Sequence, residues 1–399
     1  MESGFFSANR RRLIEKLNGG VIVLAAYGRV QRSNDAAHAF AQEANFWYLT
    51  GLTDPDWLLV IDGSQAKSVL VAPDISEVHR IFDGGVTHDE AKHRSGVDRV
   101  MDHDGGMSLL RQLARKHSLV YTVDQPPHAE HYNFALNPSI AKHRLLLERT
   151  FAQVQDCRKE LAVLRAIKQD EEVVIIQKAV DITVQAFEDV KRNLASYRHE
   201  YEVEATFGYR MRLKGAAGHA YDPIVAAGGN ACTLHYSRND APLHSRELLL
   251  MDVGASYGGY AADITRTYVR GAATKRQVQI HAAVEQAHHE IIATIRPHLA
   301  VDEYQRQVDA IMSDALRRVG LYEDEASLRR YFPHAVSHGL GIDVHDSLGA
   351  PHHLSEGMVL TVEPGIYIPE ESIGVRIEDD ILITATGNRN LSRKLSTGL

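Results

Sequence analysis

The sequence predicts an α/β domain at residues 1–155, followed at residues 156–399 by a second domain that combines long helices with β-hairpins. The first part alternates short β-rich runs with amphipathic helical stretches. The second part instead contains long helical stretches and two hairpin-like pairs of strands. A length of 399 residues agrees with this division, because domains of ~100–200 residues would make two or three of them.

Strands of the first domain are predicted where short apolar, β-rich runs end in Gly, Pro or Asp. Four such runs occur, at residues 21–28, 57–63, 68–73 and 119–124. A helix is predicted before them, with Leu13, Ile14 and Leu17 on its apolar side. We expect the basic cluster Arg10–Arg12 on the exposed face of that helix.

Helical spacing continues across the predicted domain boundary. A helix over residues 151–170 is predicted to join the two domains, and a second, long helix continues through Ala195. Two further helices are predicted in the second half. They cover residues 275–296, which end before a proline, and residues 302–319, which end before a glycine.

The composition excludes several classes of protein. The 44 basic and 52 acidic side chains give a net charge of −8, and nucleic-acid binders usually carry a basic stripe, so no nucleic-acid partner is expected. Cys157 and Cys232 are too few for a disulfide framework or a cysteine-based zinc site. The apolar runs fall far short of the ~20 residues of a membrane-spanning helix, and the first residues lack a secretory signal pattern. We therefore expect a cytoplasmic protein with no membrane partner.

The hairpin-like stretch at residues 247–269 carries two carboxylates inside its predicted strands. A turn around Ser256–Gly259 would place Asp252 opposite Asp263, and a register two residues away would make them diagonal neighbours. Two carboxylates ~5 Å apart repel strongly unless a cation lies between them. For this hairpin alone, one exposed Asp at each strand end is the favoured interpretation.

The second hairpin-like stretch, at residues 358–384, repeats the pattern. Glu363 ends an apolar strand, and Glu378 lies on the polar face of the returning strand. An ion pair between Glu378 and Arg376 is the alternative interpretation, and it is compatible with metal binding, because metal-bound carboxylates need partners of their own. The openings of the two stretches share an apolar run, an acid, a Gly and a Tyr, which hints at two halves built alike.

Histidines are concentrated between the two hairpins. Three lie within twelve residues, namely His334, His338 and His345, and a fourth, His235, follows a Gly-Gly turn. A single buried histidine is usually only hydrogen-bonded, but this concentration between two acidic hairpins favours a ligand or substrate contact.

Charge balance indicates how many metal ions such a site would hold. The four carboxylates carry −4, so two divalent ions would neutralise the ligand set, whereas one would leave −2. Oxygen donors with one imidazole suit Mn²⁺, Co²⁺ or Zn²⁺, and two ions ~3.5–4 Å apart favour hydrolysis. Serine, thiol and nucleotide chemistries lack their motifs in this sequence.

These motifs resemble those of the proline-specific metallopeptidases, which are prolidase (Xaa-Pro dipeptidase) and aminopeptidase P. The resemblance is carried by LHYSRND, MDVGASYGGYAADITRT, HAVSHGLGIDVHD, GMVLTVEPGIY and GVRIEDDILIT, in that order. RSND and NFWYLTG are similar to the N-terminal domain of aminopeptidase P, so the resemblance covers nearly the whole chain. It implies an α+β pita-bread catalytic domain and an N-terminal domain that serves dimerisation and caps the site.

The resemblance also implies a role for each motif residue. Two metal ions, most often Mn²⁺, would be bound by Asp252, Asp263, His338, Glu363 and Glu378. Asp263 and Glu378 would bridge them, and Glu363 would also be the general base. His235 and His345 would bind substrate and steady the tetrahedral intermediate, a role suited to imidazolium donors.

The remaining motif residues would bind substrate or brace the site. His334 and Tyr367 match positions that line the proline pocket or the metal site, and Arg376 matches an arginine that braces a ligand carboxylate. Asp35 matches a residue on a loop that reaches the neighbouring subunit in family dimers. A homodimer is therefore implied.

One departure from the family pattern bears on the substrate. The family usually has an Arg just before GMVLTVEPG to grip a substrate carboxylate, but residues 346–362 contain none, and His352 and His353 lie there instead. We rank Xaa-Pro dipeptidase first and Xaa-Pro aminopeptidase second. A non-catalytic pita-bread binding module is a remote alternative, and full activity after chelation would point to creatinase-like chemistry.

Overall fold

The computed structural model describes residues 1–126 and 135–399, which divide into two compact units. Unit 1 comprises Met1–Leu164 and unit 2 comprises Arg165–Leu399. Each unit has its own apolar core. In the described part of the chain, no helix has the length and apolar character that crossing a membrane would require.

Unit 1 contains a mixed six-stranded sheet with the strand order β6-β5-β4-β1-β7-β8. Its strands are β1 (Val21–Ala25), β4 (Leu58–Asp62), β5 (Lys67–Val71), β6 (Arg99–Met101), β7 (Leu119–Thr122) and β8 (Gln153–Asp156), and β2 (Gln31–Ser33) and β3 (Ala36–Ala37) form a separate hairpin. The four predicted strands are confirmed as β1, β4, β5 and β7. Strands β6 and β8 are the edges of the sheet, where exposure permits polar residues, and this is why the apolar pattern missed them.

Strand β8 corrects the predicted helix over residues 151–170, which does not form as one element. Helix α7 (Arg158–Ala166) occupies only its second part and contains the boundary between the units. The other helices of unit 1 are α1 (Ser3–Lys16), α2 (Ala44–Thr50), α3 (Glu77–Asp83), α4 (His88–Ser95), α5 (His103–Ala114) and α6 (Pro138–Thr150).

The first basic residue of helix α1 is buried, against the expectation of an exposed cluster. Arg10 is 3% exposed and donates hydrogen bonds to the carbonyl oxygens of Leu49, Ser95 and Gly96. A guanidinium can be buried where carbonyl oxygens satisfy its donors. Helical spacing alone could not reveal those distant carbonyls.

The three helices predicted within unit 2 form close to their predicted bounds, and two further helices that were not predicted also form. They are α8 (Asp170–Asn193), α9 (Glu200–Leu213), α10 (Lys275–Thr294), α11 (Val301–Arg318) and α12 (Glu325–Tyr331). Thr274 and Gln277 form a capping box at the start of α10. Gly320 follows α11 with a φ of +72°, a left-handed conformation that favours glycine after a helix.

Two β-ribbons cross unit 2. The first is built from β11 (Leu248–Asp252), β12 (Ala255–Tyr257), β13 (Tyr260–Ala261) and β14 (Thr265–Val269), and β9 (Gly218–His219) and β10 (Ile224–Ala227) pair with it. The second is built from β15 (Val359–Val362), β16 (Gly365–Ile368), β17 (Ile373–Arg376) and β18 (Asp379–Thr384), and β19 (Gly387–Asn390) pairs with β18. Apolar side chains of the second ribbon pack with α10 and α11 in the core, which leaves its acidic residues to meet the first ribbon.

Candidate metal centre

The first ribbon buries both of its predicted acidic residues. Asp252 is the last residue of β11 and pairs with Thr265, and Asp263 lies two residues before Thr265. The two carboxylic residues are 8% and 5% exposed. The predicted pairing of Asp252 with Asp263 is therefore wrong by two residues. The alternative register forms instead, in which the two aspartates are diagonal neighbours.

A two-glycine turn sets this register. Tyr257 pairs with Tyr260, so Gly258 and Gly259 form the turn, with φ angles of +58° and +86°. Positive φ at both central positions is the requirement of the commonest two-residue hairpin turn, which glycine meets without strain. The Gly-Gly dipeptide was the signal in the sequence that would have given the correct register.

The second ribbon places its two glutamates opposite each other. Val362 pairs with Asp379, and Ile377 N donates to Pro364 O on the other side, so Glu363 and Glu378 face each other between these two contacts.

The two ribbons are joined directly at the acidic residues. Glu378 N donates to Thr265 O at 3.0 Å, and Thr265 Oγ1 donates to Glu378 Oε2 at 2.7 Å. Asp263 N donates to Asp380 Oδ2 at 3.2 Å. The predicted carboxylates of both ribbons therefore converge on one buried place.

His338 completes this cluster. Its Nε2 lies 3.4 Å from Asp263 Oδ2 and 3.5 Å from Glu363 Oε1, and its Nδ1 donates to Gly339 O at 3.0 Å. One ligand atom from each of Asp263, His338 and Glu378 lies within 4.8 Å of the others. The Nδ1 contact leaves Nε2 to act as a metal ligand.

Burial and mutual repulsion raise the pKa values of the carboxylic acids. Burial is the largest cause at Asp263 and Glu378, and the charges of neighbouring carboxylates add to it. Burial also raises the pKa of Glu363 to about 7, although the charge of His338 opposes it. A divalent cation would turn this repulsion into attraction, and oxygen donors with one imidazole are a suitable set for Mn²⁺, Co²⁺ or Zn²⁺. The residues therefore fit the metal ions that the motifs predict.

A tyrosine that the sequence did not reveal lies between two of the acids. Tyr221 OH lies 2.6 Å from Asp252 Oδ1 and 2.5 Å from Asp263 Oδ1. Burial raises its pKa, and the charges of the two aspartates add to that rise, so the phenol keeps its proton. No spacing rule connects this residue to the two aspartates, which lie 31 and 42 positions away.

Arg376 contacts the carboxylate of Asp252 and two neighbouring side chains. Its Nη2 donates to Asp252 Oδ2 at 2.5 Å, its Nη1 to Tyr367 OH at 2.9 Å and its Nε to Thr265 Oγ1 at 3.1 Å. Among the described residues its ion pair is with Asp252, so the alternative pair with Glu378 does not form.

His334 and Tyr367 form a polar wall beside the cluster. Tyr367 OH donates to His334 Nε2 at 2.8 Å, and His334 Nδ1 donates to Ala335 O. Burial lowers the pKa of His334 to about 4, and the charge of Arg376 adds to that effect. Burial raises the pKa of Tyr367 to about 12. Both rings are therefore neutral at pH 7.

His345, one of the two histidines predicted to bind substrate, packs against the ring of His338. The ring centroids of His345 and His338 are 4.3 Å apart in an edge-to-face arrangement. Burial lowers the pKa of His345 to about 4, and the charges of His338 and His235 lower it further. His345 is thus a neutral donor rather than the imidazolium that we expected. His235 is exposed.

Three other residues named in the sequence analysis are exposed. Asp35 is exposed in the short hairpin β2–β3 of unit 1. His352 and His353 are exposed, and their backbone pairs with Ala300 and Val301.

Two family models match this chain, one for each part of the sequence. The family model described as Metallopeptidase family M24 matches residues 174–385, and the one described as Aminopeptidase P, N-terminal domain matches residues 6–121. The chain is 32% identical to the Xaa-Pro aminopeptidase of Escherichia coli K12 over 97% of this chain and 94% of that protein. It is 32% identical to human Xaa-Pro aminopeptidase 3 over 88% of this chain and 74% of that protein.

Solved structures give the same result for the fold. A structure of Escherichia coli aminopeptidase P in complex with substrate matches with a TM-score of 0.87 and 30% identity, covering 100% of this chain and 96% of that one. Proline aminopeptidase P II from Yersinia pestis matches with a TM-score of 0.85 and 31% identity, covering 100% and 97%.

Proposed function

The chain belongs to metallopeptidase family M24, and from that premise we propose that it is an Xaa-Pro aminopeptidase, which removes the residue before proline from the start of a peptide. The predicted fold, an aminopeptidase P N-terminal domain with a pita-bread catalytic domain, is confirmed, and so is a metal-dependent peptidase acting on Xaa-Pro bonds. The observation that carries the proposal is the agreement of the relatives, which are named Xaa-Pro aminopeptidases over nearly the whole chain.

The comparisons do not support the dipeptidase that we ranked first. A dipeptidase must grip the carboxylate of the proline itself. Because residues 346–362 contain no Arg, that grip would have to come from Arg376, from His352 and His353, or from an N-terminal-domain residue of the partner subunit. Each of the three guanidinium nitrogens of Arg376 already donates to a side chain, and the residue is 3% exposed. His352 and His353 are exposed and pair through their backbone with the start of α11. A site in which none of these side chains grips that carboxylate would accept longer peptides.

We assign the metal site to two divalent ions, most often Mn²⁺, with Co²⁺ or Zn²⁺ as alternatives. Their ligands are Asp252, Asp263, His338, Glu363 and Glu378. When bound, the ions would polarise the substrate carbonyl and lower the pKa of a water molecule. The retention of five ligands argues against the non-catalytic binding module.

The chain's own side chains would do the rest. Glu363 accepts the proton of the attacking water, since its carboxylate lies within the proposed metal cluster, 3.5 Å from His338 Nε2. His345 and His235 donate hydrogen bonds to the substrate, and the neutral imidazole of His345 still has one N–H to donate. The wall of His334 and Tyr367 faces the proline ring. The amide nitrogen of proline carries no hydrogen, so the site must recognise the ring itself and not an N–H group.

The N-terminal domain, residues 1–155, would serve dimerisation and cap the site. In a homodimer, Asp35 would reach the partner's site, since it stands exposed on the β2–β3 hairpin. The expected location is the cytoplasm. Light scattering on purified protein would measure the oligomeric state, and a monomer that cleaves peptides at the full rate would contradict the assigned role of Asp35.

The test is peptide hydrolysis by metal-free protein reconstituted with each divalent ion in turn. An Xaa-Pro dipeptide, an Xaa-Pro-Xaa tripeptide and a tripeptide with Ala in place of Pro are compared. We expect the Xaa-Pro tripeptide to be cleaved with the highest kcat/KM and Mn²⁺ to restore activity. A preference for the dipeptide would favour prolidase instead. Full activity without metal would contradict both the aminopeptidase and the prolidase assignment.

A further inference from the structure

A short loop carries two of the histidines assigned above. We call residues 338–346 the histidine loop; His338 stands at its start and His345 one residue before its end. Asp346 N donates to Gly339 O at 2.9 Å, so backbone hydrogen bonding joins its two ends. Because His345 is next to Asp346, its ring can be only as well fixed as the Asp346 end of the loop.

The carboxylate of Asp346 is held by two buried cations. Arg165 Nη2 lies 2.9 Å from Asp346 Oδ1, and Lys168 Nζ lies 3.5 Å from Asp346 Oδ2. The side chains of Lys168 and Asp346 are 1% and 2% exposed. Arg165 also donates to the exposed Asp343 at 2.6 Å, so it is shared between two acids, whereas Asp346 is the one carboxylate within 4.0 Å of Lys168 among the described residues.

The backbone of Gly341 packs closely against the side chains of Lys168 and Asp346. A Cβ on Gly341 would lie 2.0 Å from Asp346 Oδ2 and 3.2 Å from Lys168 Cε. Gly341 O accepts from Ala261 N of the first ribbon, and Lys168 N donates to Gly357 O just before the second ribbon. The pair therefore lies where the histidine loop meets both ribbons.

Burying an ammonium group costs free energy unless a nearby negative charge compensates it. The burial of Lys168 therefore depends on a compensating charge. Burial lowers its pKa, and the negative charges of Asp346 and Glu172 oppose that effect. Glu172 in turn accepts from Tyr260 OH of the first ribbon at 2.9 Å. A side chain that only filled space here would be apolar, whereas a charge is useful if it must hold a carboxylate in one position.

We propose that Lys168 and Asp346 are positioning residues that fix His345 toward the substrate, an inference that rests on the proposed function. Neither is assigned a ligand or a catalytic role above. Loss of the Lys168 ammonium leaves one side of the Asp346 carboxylate unheld, so the loop end and His345 can shift. A shift on the order of 1 Å can cost up to ~100-fold in rate. His345 donates to charge that develops in the transition state, so kcat falls more than KM rises.

The test compares Lys168→Met in the wild-type chain and in a His345→Ala chain, with the Xaa-Pro tripeptide as substrate. In the wild type we expect kcat to fall about tenfold and KM to change less than twofold. In the His345→Ala chain we expect Lys168→Met to change kcat less than twofold, because its effect passes through His345. Lys394→Met, which breaks an exposed ion pair with Asp181, is the matched control and should leave both values unchanged.

A second variant and a measurement independent of activity complete the design. Asp346→Asn should reproduce Lys168→Met. In protein labelled with ¹⁵N-histidine, the ring signal that His345→Ala removes should shift or broaden in both variants and stay in place in Lys394→Met. An equal loss of kcat in both backgrounds, an unchanged kcat, or failure of both variants to fold would overturn the proposal. A wild type that cleaves no Xaa-Pro peptide would defeat the proposed function instead, while the ring signal still tests the position of His345.

Discussion

Arg376 Nη2 donates a hydrogen bond of 2.5 Å to Asp252 Oδ2, and both residues are buried. The contact joins β17 of the second ribbon to β11 of the first. It occupies one oxygen of a proposed metal ligand, and Tyr221 occupies the other at 2.6 Å. The carboxylate is therefore oriented before any metal ion arrives, which is the usual role of groups behind the ligands of a metal site.

Replacing Arg376 by Met should weaken metal binding. Asp252 would lose its charged partner, and loss of a hydrogen-bonding partner behind a ligand typically costs ~10–100-fold in metal affinity. Titration calorimetry of the metal-free protein with Mn²⁺ measures this directly. Arg329→Met, which removes an exposed ion pair with Asp309 at 2.7 Å, is the control. An Mn²⁺ affinity of Arg376→Met equal to that of the control would contradict the role assigned to Arg376.

Replacing Asp263 by Asn should affect the metal-free and the metal-loaded protein differently: it should not lower the stability of the first, but it should reduce the stability that the second gains from Mn²⁺. Without metal, Asp263 is a buried acid beside other acids, so removing its charge should leave the metal-free protein as stable as the wild type or more so. With Mn²⁺ at ~100 times the dissociation constant, the wild type should gain about 3 kcal/mol and the variant much less.

Thermal unfolding with and without Mn²⁺ measures both effects of Asp263→Asn. Asp309→Asn, at an exposed ion pair, should show the full gain from metal and serves as the control. A variant that is less stable than the wild type without metal, yet gains as much from Mn²⁺, would show that Asp263 is a structural acid and not a ligand.

How far the sequence predicts this site depends on the range of each interaction. Asp252 and Glu363 could each be placed at the end of an apolar run. For Asp252 the first hairpin alone favoured an exposed position, and its burial depends on contacts with the second ribbon. The sequence also encodes the register of the first ribbon, in the two-residue turn of Gly258 and Gly259. We predicted a turn around Ser256–Gly259, which gives a different register. Tyr221 was not predictable, because its contacts depend on how distant segments fold together.

The same distinction holds for the remaining parts of the fold. Long helices such as α10 show their spacing over many turns, so their predicted ends lie close to those observed. The edge strand β8 is short and polar, and its pairing with β7 is what makes it a strand. The burial of Arg10 likewise depends on carbonyl oxygens of Leu49 and Ser95, which only the tertiary fold brings near.

Replacing Gly254 by Ala should disrupt the first ribbon next to the acids. A Cβ at this position would lie 1.7 Å from Ala262 O, a backbone atom that cannot move without shifting Asp263. We expect a loss of ~1–3 kcal/mol or more in the free energy of unfolding, together with weaker Mn²⁺ binding. Gly387→Ala is the matched control, because a Cβ there meets no atom within 4 Å. Equal stability and Mn²⁺ affinity in the two variants would show that the ribbon tolerates the displacement.

His143 should make the stability of unit 1 depend on pH. It is 6% exposed, its Nε2 lies 3.1 Å from Val23 O, and burial lowers its pKa to about 4. The unfolded chain binds the proton near pH 6.5, whereas the folded chain resists it until about pH 4, so His143 destabilises the fold as the pH falls between these values. Between pH 7 and 4.5 its contribution should fall by about 2 to 3 kcal/mol.

Urea unfolding followed by tryptophan fluorescence tests this, because both tryptophans, Trp47 and Trp57, lie in unit 1. His143→Gln should be less stable than the wild type at pH 7, since it loses a fitted buried ring, and the difference should shrink as the pH falls to 4.5. His93→Gln, at an exposed position, should follow the wild type throughout. A stability difference between His143→Gln and the wild type that stays constant over this range would show that His143 takes up its proton equally well in the folded and unfolded chains.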